Sequence, residues 1–324
     1  MRLQTRLTRF LGIEHPILSA PMGFVAGGKL AASVTAAGGL GLIGGGYGDA
    51  DWLEGEFAAA GNARVGCGFI TWSLARQPAL LEQMLAHAPA VVMLSFGDPA
   101  PFAAAVKTAG IALICQVQSL AHARAALDCG ADILVAQGAE AGGHGASRAT
   151  LTLVPEIADL LARLDSQALL VAAGGIADGR GLAGALMLGA DGVLVGSRLW
   201  ASTEALVHPN HHAAAVAATG DDTIRQTATD IARLYPWPAE FTARVLNNAF
   251  TQRWHGRDAE HRAAAEALNP AYLAGVAAGD PDNVGVWVGE ATGLIGAIAP
   301  AGDIIAGMVE QAAMLLRGGG GFVA

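Results

Sequence analysis

The chain has 324 residues, 53% of them hydrophobic and 15% charged, so it can bury one large core, and its glycine and alanine content suits tight packing of helices on a sheet. A formal net charge of −9 with no basic stripe speaks against a nucleic-acid or anionic-membrane surface. Three cysteines, Cys67, Cys115 and Cys129, without CxxC spacing give neither a disulfide framework nor a zinc site, and no apolar run is long enough for a signal core or a bilayer span, so the expected location is a reducing cytoplasm.

In chain order, apolar strand-like runs alternate with alanine-rich helical patterns. Strands are expected at 16–20, 40–43, 64–70, 90–95, 111–117, 132–136, 168–173 and 192–195, and helices at 29–37, 50–60, 77–87, 101–109, 119–128, 154–164 and 181–188. Strict alternation implies parallel strands, and eight of them predict an α/β fold, a closed (β/α)8 or TIM barrel. An open doubly wound sheet is the alternative, but its glycine fingerprint would follow the first strand, whereas here glycines recur after several strands. After Trp200 the strand signals fade, and 208–285 reads as a small helical domain. The expected division is a barrel over 1–205, a helical domain over 206–290, and a segment 291–324 in which a helix at 303–316 returns to the barrel before a loose tail, 317–324. Trp237, Trp254 and Trp287 are expected to fill the core of the helical domain or its contact with the barrel, with a place in the pocket wall as the alternative. His208, His211 and His212 lack carboxylate or cysteine partners at ligand spacing and are read as solvated surface histidines, so no metal is expected.

The chemistry gathers at the strand ends. The sixth strand runs into a glycine-rich loop, Gly138 to Gly145, whose only titratable groups are Glu140 and His144. A histidine at the C-terminal end of a barrel strand suits proton transfer or hydrogen bonding to a substrate, against the plainer reading of a packed loop histidine. Gly174 and Gly175 follow the seventh strand, and Gly196 and Ser197 the eighth, where barrels recurrently bind phosphate. The first strand ends in Pro21, Met22 and Gly23, which can set backbone amides and a thioether against a flat ring; Gln116 and Gln137 can hydrogen-bond its heteroatoms. Against these stand plainer readings, Met22 as core filler and the glutamines as solvent-facing strand caps. The chain has only two lysines, Lys29 and Lys107, both in helical patterns, and no nucleophile beside a base or paired acids can be picked out. One general base with a flat, phosphate-bearing cofactor points to FMN.

The segments HPILSAPMG, AQGAEAGGHG and AAGGIADGRGLAGALMLGADGVLVGSR, with the trailing helical region, resemble the nitronate monooxygenase family, formerly 2-nitropropane dioxygenases, over nearly the whole chain. The resemblance implies FMN at the barrel mouth, with its phosphate on Gly174, Gly175, Gly196 and Ser197 and its ring near Met22 and Gly23. Gln116, Gln137 and Gly142 would add polar contacts, and His144 would be the base or the partner of the nitro group. The implied reaction is oxidation of nitronates or nitroalkanes by O2 to a carbonyl compound and nitrite. One departure is Gly68 at the end of the third strand, where related proteins often carry asparagine. Similar FMN barrels include NAD(P)H:quinone reductases and flavin-dependent enoyl-thioester reductases. A barrel that binds FMN or a phosphate without turnover is the alternative of another class.

Overall fold

The period-two alternation of each strand decides which side chains fill the barrel and which face the helices. In the computed structural model, which describes residues 2–319, the strands are β1 (Ile17–Ser19), β2 (Leu42–Gly46), β3 (Gly66–Ile70), β4 (Val91–Ser95), β5 (Ala112–Val117), β6 (Ile133–Gln137), a short β7 (Gly143–Gly145) outside the barrel, β8 (Leu169–Ala173) and β9 (Gly192–Val195). Eight of them form one parallel sheet in the order β1-β9-β8-β6-β5-β4-β3-β2. Ser19 N–H donates to the Leu40 carbonyl (3.1 Å) and Leu40 N–H to that of Ile17 (3.0 Å), which closes β2 onto β1 and completes the expected barrel.

Inside it lie Leu18, Leu42, Val91, Met93, Ile114, Ile133, Val135, Leu169, Val171 and Leu194, and the helix Arg6–Leu11 seals the lower end with Leu7 and Leu11. That helix went unanticipated because six residues are too few to display a period. The alternate set, including Ile43, Cys67, Val92, Cys115, Leu134, Ala136 and Leu170, packs against the surrounding helices. Because Ile133 and Val135 point inward, Gln137 at the end of β6 does so too; Ile114 sets Gln116 inward at the end of β5 in the same way. The mouth of the barrel is therefore polar above an apolar interior.

The helix Ala301–Gly318 packs on the helix Gly179–Met187. The approach needs a glycine: a Cβ on Gly179 would lie 2.4 Å from Ala312 N, and the Gly179 amide donates to Gln311 Oε1 at 2.8 Å. The expected loose tail starts within this helix, and 320–324 lie outside the described residues. No described helix is long and apolar enough to cross a membrane.

The segment after β9 corrects the purely helical expectation. It does contain helices, among them Pro209–Ala217, Ala228–Ala232, Ala249–Trp254 and Asp258–Ala278, but also β10 (Thr223–Gln226) and β11 (Thr242–Leu246). These join β7 in an antiparallel sheet ordered β10-β11-β7, in which Ala243 pairs with His144. Such short strands, flanked by helix formers, carry little local signal; β10 and β11 pair with each other, and β11 pairs on its other side with β7, a stretch of Gly-His-Gly from the β6 loop. Two arginines reinforce the seam. Arg225 donates to the carbonyls of Gly145 and Ala139, each at 3.0 Å, and Arg244 donates to the Ala139 carbonyl at 3.0 Å while pairing with Glu290 at 2.7 Å.

Candidate active site at the barrel mouth

A cavity of about 740 Å³ opens at the C-terminal ends of the barrel strands. All the site residues expected from the sequence line it: Pro21, Met22, Gly23, Gln116, Gln137, Gly142, His144, Gly174, Gly175, Gly196 and Ser197. They do not all face it in the same capacity.

The glycine turns form a main-chain cradle. Gly174 (φ 100°) and Gly175 (φ 73°) adopt conformations that other residues rarely take, and a Cβ on Gly174 would lie 2.9 Å from the Gly138 carbonyl oxygen and from Thr150 Oγ1. Among the described residues their amides donate to no backbone carbonyl, which leaves them for a ligand. The following helix is already answered: the Asp178 carboxylate caps it by accepting from Arg180 N (2.9 Å) and Gly181 N (3.3 Å). A phosphate here would therefore meet the glycine amides rather than that helix end. Across the cradle, Ser197 Oγ accepts from Gly289 N at 2.9 Å, which ties the end of β9 to the later segment and leaves its hydroxyl proton free to donate.

Small side chains keep the floor open. A Cβ at Gly68 would lie 2.5 Å from Pro21 Cγ, so asparagine could stand there only if the β1 turn moved; the departure from the family pattern is coupled to the position of Pro21. Floor and cradle together fit a flat ring with a phosphate arm. Gln116 has hydrogen-bonding capacity left for such a ring, since among the described residues its only side-chain bond runs from Nε2 to Gln137 Oε1 at 3.2 Å. Gln137 is mostly engaged within the protein. Its oxygen accepts from Gln116 and Gln118 (2.9 Å), and its amide donates to the His144 carbonyl at 3.0 Å, so its chief task is to hold the loop. Gly142 is likewise a packing glycine, where a Cβ would meet Gly289 N at 2.5 Å. Glu140 orients the loop from the other side by accepting from Thr150 N (3.0 Å) and Oγ1 (2.8 Å).

His144 is 7% exposed, and its Nε2 lies 2.9 Å from both carboxylate oxygens of Asp230, which is 4% exposed and 86 residues away in the chain. The ring stacks on Trp237 with centroids 3.3 Å apart and planes 6° apart, while Trp287 (5.5 Å) and the edge of Phe96 (6.2 Å) complete its surroundings. Burial lowers the imidazole pKa below its ordinary 6.5, against the opposing pull of Asp230, and the nearby guanidinium of Arg233 lowers it further. The neutral ring then carries its proton on Nε2, donated to Asp230, and Nδ1 is left as the base. This arrangement can accept a proton from a carbon acid and hold it as an imidazolium against Asp230.

Asp230 was not anticipated. It sits in the helix Ala228–Ala232, all five of whose residues are buried. The signal was an acid between Ala228, Ile231 and Ala232, since a carboxylate in an apolar turn needs a partner. Trp237 and Trp287 take the alternative role considered for them, in the pocket wall, and Trp254 stays in the outer core, stacked on His261 at 4.2 Å. His208 is exposed as expected but at the cavity rim; His211 and His212 are half-buried, the first lining the cavity and the second meeting the Trp200 carbonyl at 2.9 Å. No cluster of three metal-ligating side chains occurs among the described residues.

Residues 4–64 and 72–311 match the family model described as nitronate monooxygenase. The nitronate monooxygenase of Neurospora crassa is 31% identical over 91% of this chain and 88% of its own. Among solved structures, FabK from Thermotoga maritima superposes with a TM-score of 0.87 at 31% identity, covering 99% of this chain and 100% of that one. The nitroalkane oxidase of Streptomyces ansochromogenes does so at 0.78 and 25% identity, covering 96% and 99%.

Proposed function

The chain belongs to the nitronate monooxygenase family of flavin-dependent oxidoreductases, and from that premise we propose that it binds FMN and uses O2 to oxidise alkyl nitronates and nitroalkanes to carbonyl compounds and nitrite. The observation that carries this reading is His144, buried, held neutral, its Nε2 fixed by Asp230 and its other nitrogen free at the mouth of the barrel. The α-carbon of a nitroalkane is acidic because the nitro group takes up the charge, so a single well-placed neutral imidazole suffices to generate the nitronate. His144 Nδ1 takes the α-proton; Asp230 keeps the ring in the productive tautomer and stabilises the imidazolium that results. Trp237, stacked on the imidazole, fixes its plane and excludes water from that face. The amides of Gly174 and Gly175, with Gly196 and Ser197, would hold the phosphate of FMN, and Met22, Gly23 and Gln116, which line the same cavity, would border its ring. Bound FMN supplies the electron acceptor for the electron-rich substrate carbon and the centre that reacts with O2.

A second reading rests on the FabK likeness: a reductase on the same scaffold that takes hydride from NADH or NADPH and passes it to a quinone or an enoyl thioester. Its support on this chain is the apolar rim of the cavity, where Leu206, Leu273 and Val276 are exposed and suit a larger acceptor. Mixing the FMN-loaded protein anaerobically with ethyl nitronate, NADH or NADPH in a stopped-flow spectrometer separates the readings. Fast bleaching of the flavin by nitronate alone is expected; bleaching by a nicotinamide alone means a reductase, and bleaching by neither means a binding protein.

A further inference from the structure

At the C-terminus of the helix that carries Asp230, Arg233 turns its guanidinium into the same cavity. The side chain is half-buried, and what surrounds it is ring faces: Tyr235 at 4.5 Å from the guanidinium carbon, Tyr47 at 5.2 Å and Trp287 at 5.3 Å. Among the described residues no carboxylate lies within 4 Å of it and none of its side-chain nitrogens donates a hydrogen bond. Asp230, the nearest acid on its own helix, spends both oxygens on His144. Tyr47 is occupied as well, its hydroxyl accepting from Trp237 Nε1 at 3.0 Å and its pKa pushed up to about 12 by burial, so it stays a neutral phenol.

Aromatic faces satisfy the charge of a guanidinium but not its edge, where five N–H donors lie in one plane. A cation walled by rings, with donors that no protein group engages, gains from any anion that pairs with it. Arg233 lines the cavity, and the matching partner there for a planar fork of donors is a planar anion with two oxygens. The same aromatic wall links this point to His144, because Trp287 contacts both groups and Trp237 bonds to Tyr47 while stacking on the imidazole.

We propose that Arg233 is the anion-binding residue of the substrate subsite and takes, edge-on, the planar two-oxygen head of a nitronate or the similarly shaped head of a carboxylate. The nitronate form of this assignment rests on the function proposed above; the anion subsite itself does not. Arg233 then discriminates between the charged nitronate and its neutral parent nitroalkane on binding, and stabilises the negative charge that develops as His144 removes the proton.

The test uses the FMN-loaded wild type with Arg233→Lys and Arg233→Met. In anaerobic flavin reduction, Arg233→Met should raise the apparent Kd for ethyl nitronate on the order of tenfold to a hundredfold, the loss expected for a charge-assisted pair. The Kd for neutral nitroethane should hold while its rate of reduction falls, and Arg233→Lys should recover part of the nitronate affinity. In parallel, butyrate and its neutral analogue butyramide are titrated against the flavin absorbance of each protein. Butyrate should perturb the wild type and not Arg233→Met, and butyramide should treat the two alike. Unchanged nitronate and butyrate binding in Arg233→Met overturns the proposal. So does an equal rise in Kd for charged and neutral ligands with lost flavin, which would make Arg233 a structural residue. If wild type is reduced by neither nitronate nor nitroethane, the oxidase reading fails, and the butyrate titration still decides the subsite.

Discussion

The two sides of the barrel mouth are built from different materials. The cradle side, Gly174–Gly175 and Gly196–Ser197, is main chain: its donors are amides, its shape comes from positive φ and missing Cβ atoms, and each part lies directly after a barrel strand. The wall side is made of side chains, with His144 on β7 held against Asp230, Trp237 and Trp287, and with Arg233 lining the same cavity, all four from the segment after β9. A main-chain cradle can hold any flat phosphate-bearing ligand and has little to say about the reaction. In the function and subsite proposed above, side chains brought from as far as 86 residues away set the proton chemistry and select the charge of the substrate. Division of labour of this kind explains how one scaffold serves oxidases and reductases alike.

That contrast can be broken from either side. The largest effect is expected at His144: alanine or asparagine there should lower turnover of a neutral nitroalkane by about a thousandfold, within the range of a lost general base, while flavin content stays near wild type. The asparagine variant keeps a donor beside Asp230, and comparable losses of flavin and turnover in both variants would show a structural histidine instead. Asp230→Asn should lower kcat as well, by less than loss of the base itself. Because Asp230 raises the His144 pKa against the effect of burial, its neutralisation should also move the acid limb of the kcat/KM profile, already below about 6.5, further down. An upward or absent shift would remove Asp230 from the proton path.

On the cradle, Gly174→Ala forces a strained φ and a close contact, at about 1–3 kcal/mol, and should weaken flavin binding roughly tenfold without changing the pH limb. A shifted limb would mean that the two sides are coupled. The smallest effect concerns stability. The native His144 pKa lies below that of the unfolded chain, so below about 6.5 the unfolded state binds a proton that the native state refuses, and the melting temperature should fall as pH is lowered through that value. His15, His211 and His261 are displaced in the same direction, so the comparison with His144→Asn isolates this contribution.

The amino-acid sequence alone determined the barrel and its cradle, since both rest on local rules. Strand alternation, helix composition and glycine at the βα turns each act within a few residues, and period two carried Gln116 and Gln137 to the mouth without reference to anything distant. What tertiary structure decided is the wall. β10 and β11 form a sheet through their pairing with each other and that of β11 with the Gly-His-Gly of β7, and Asp230, Arg233 and Tyr235 read in isolation as ordinary polar positions of a helical stretch. Gln137 shows the same limit at a single residue. The strand pattern placed its side chain, but only the fold brought Gln116, Gln118 and the His144 carbonyl to it and made it a support of the loop. Local sequence specifies backbone conformation and facing; the pairing of a buried base with its acid, and of a half-buried cation with an open cavity, depends on which distant side chains share a low-dielectric space, and that is a property of packing.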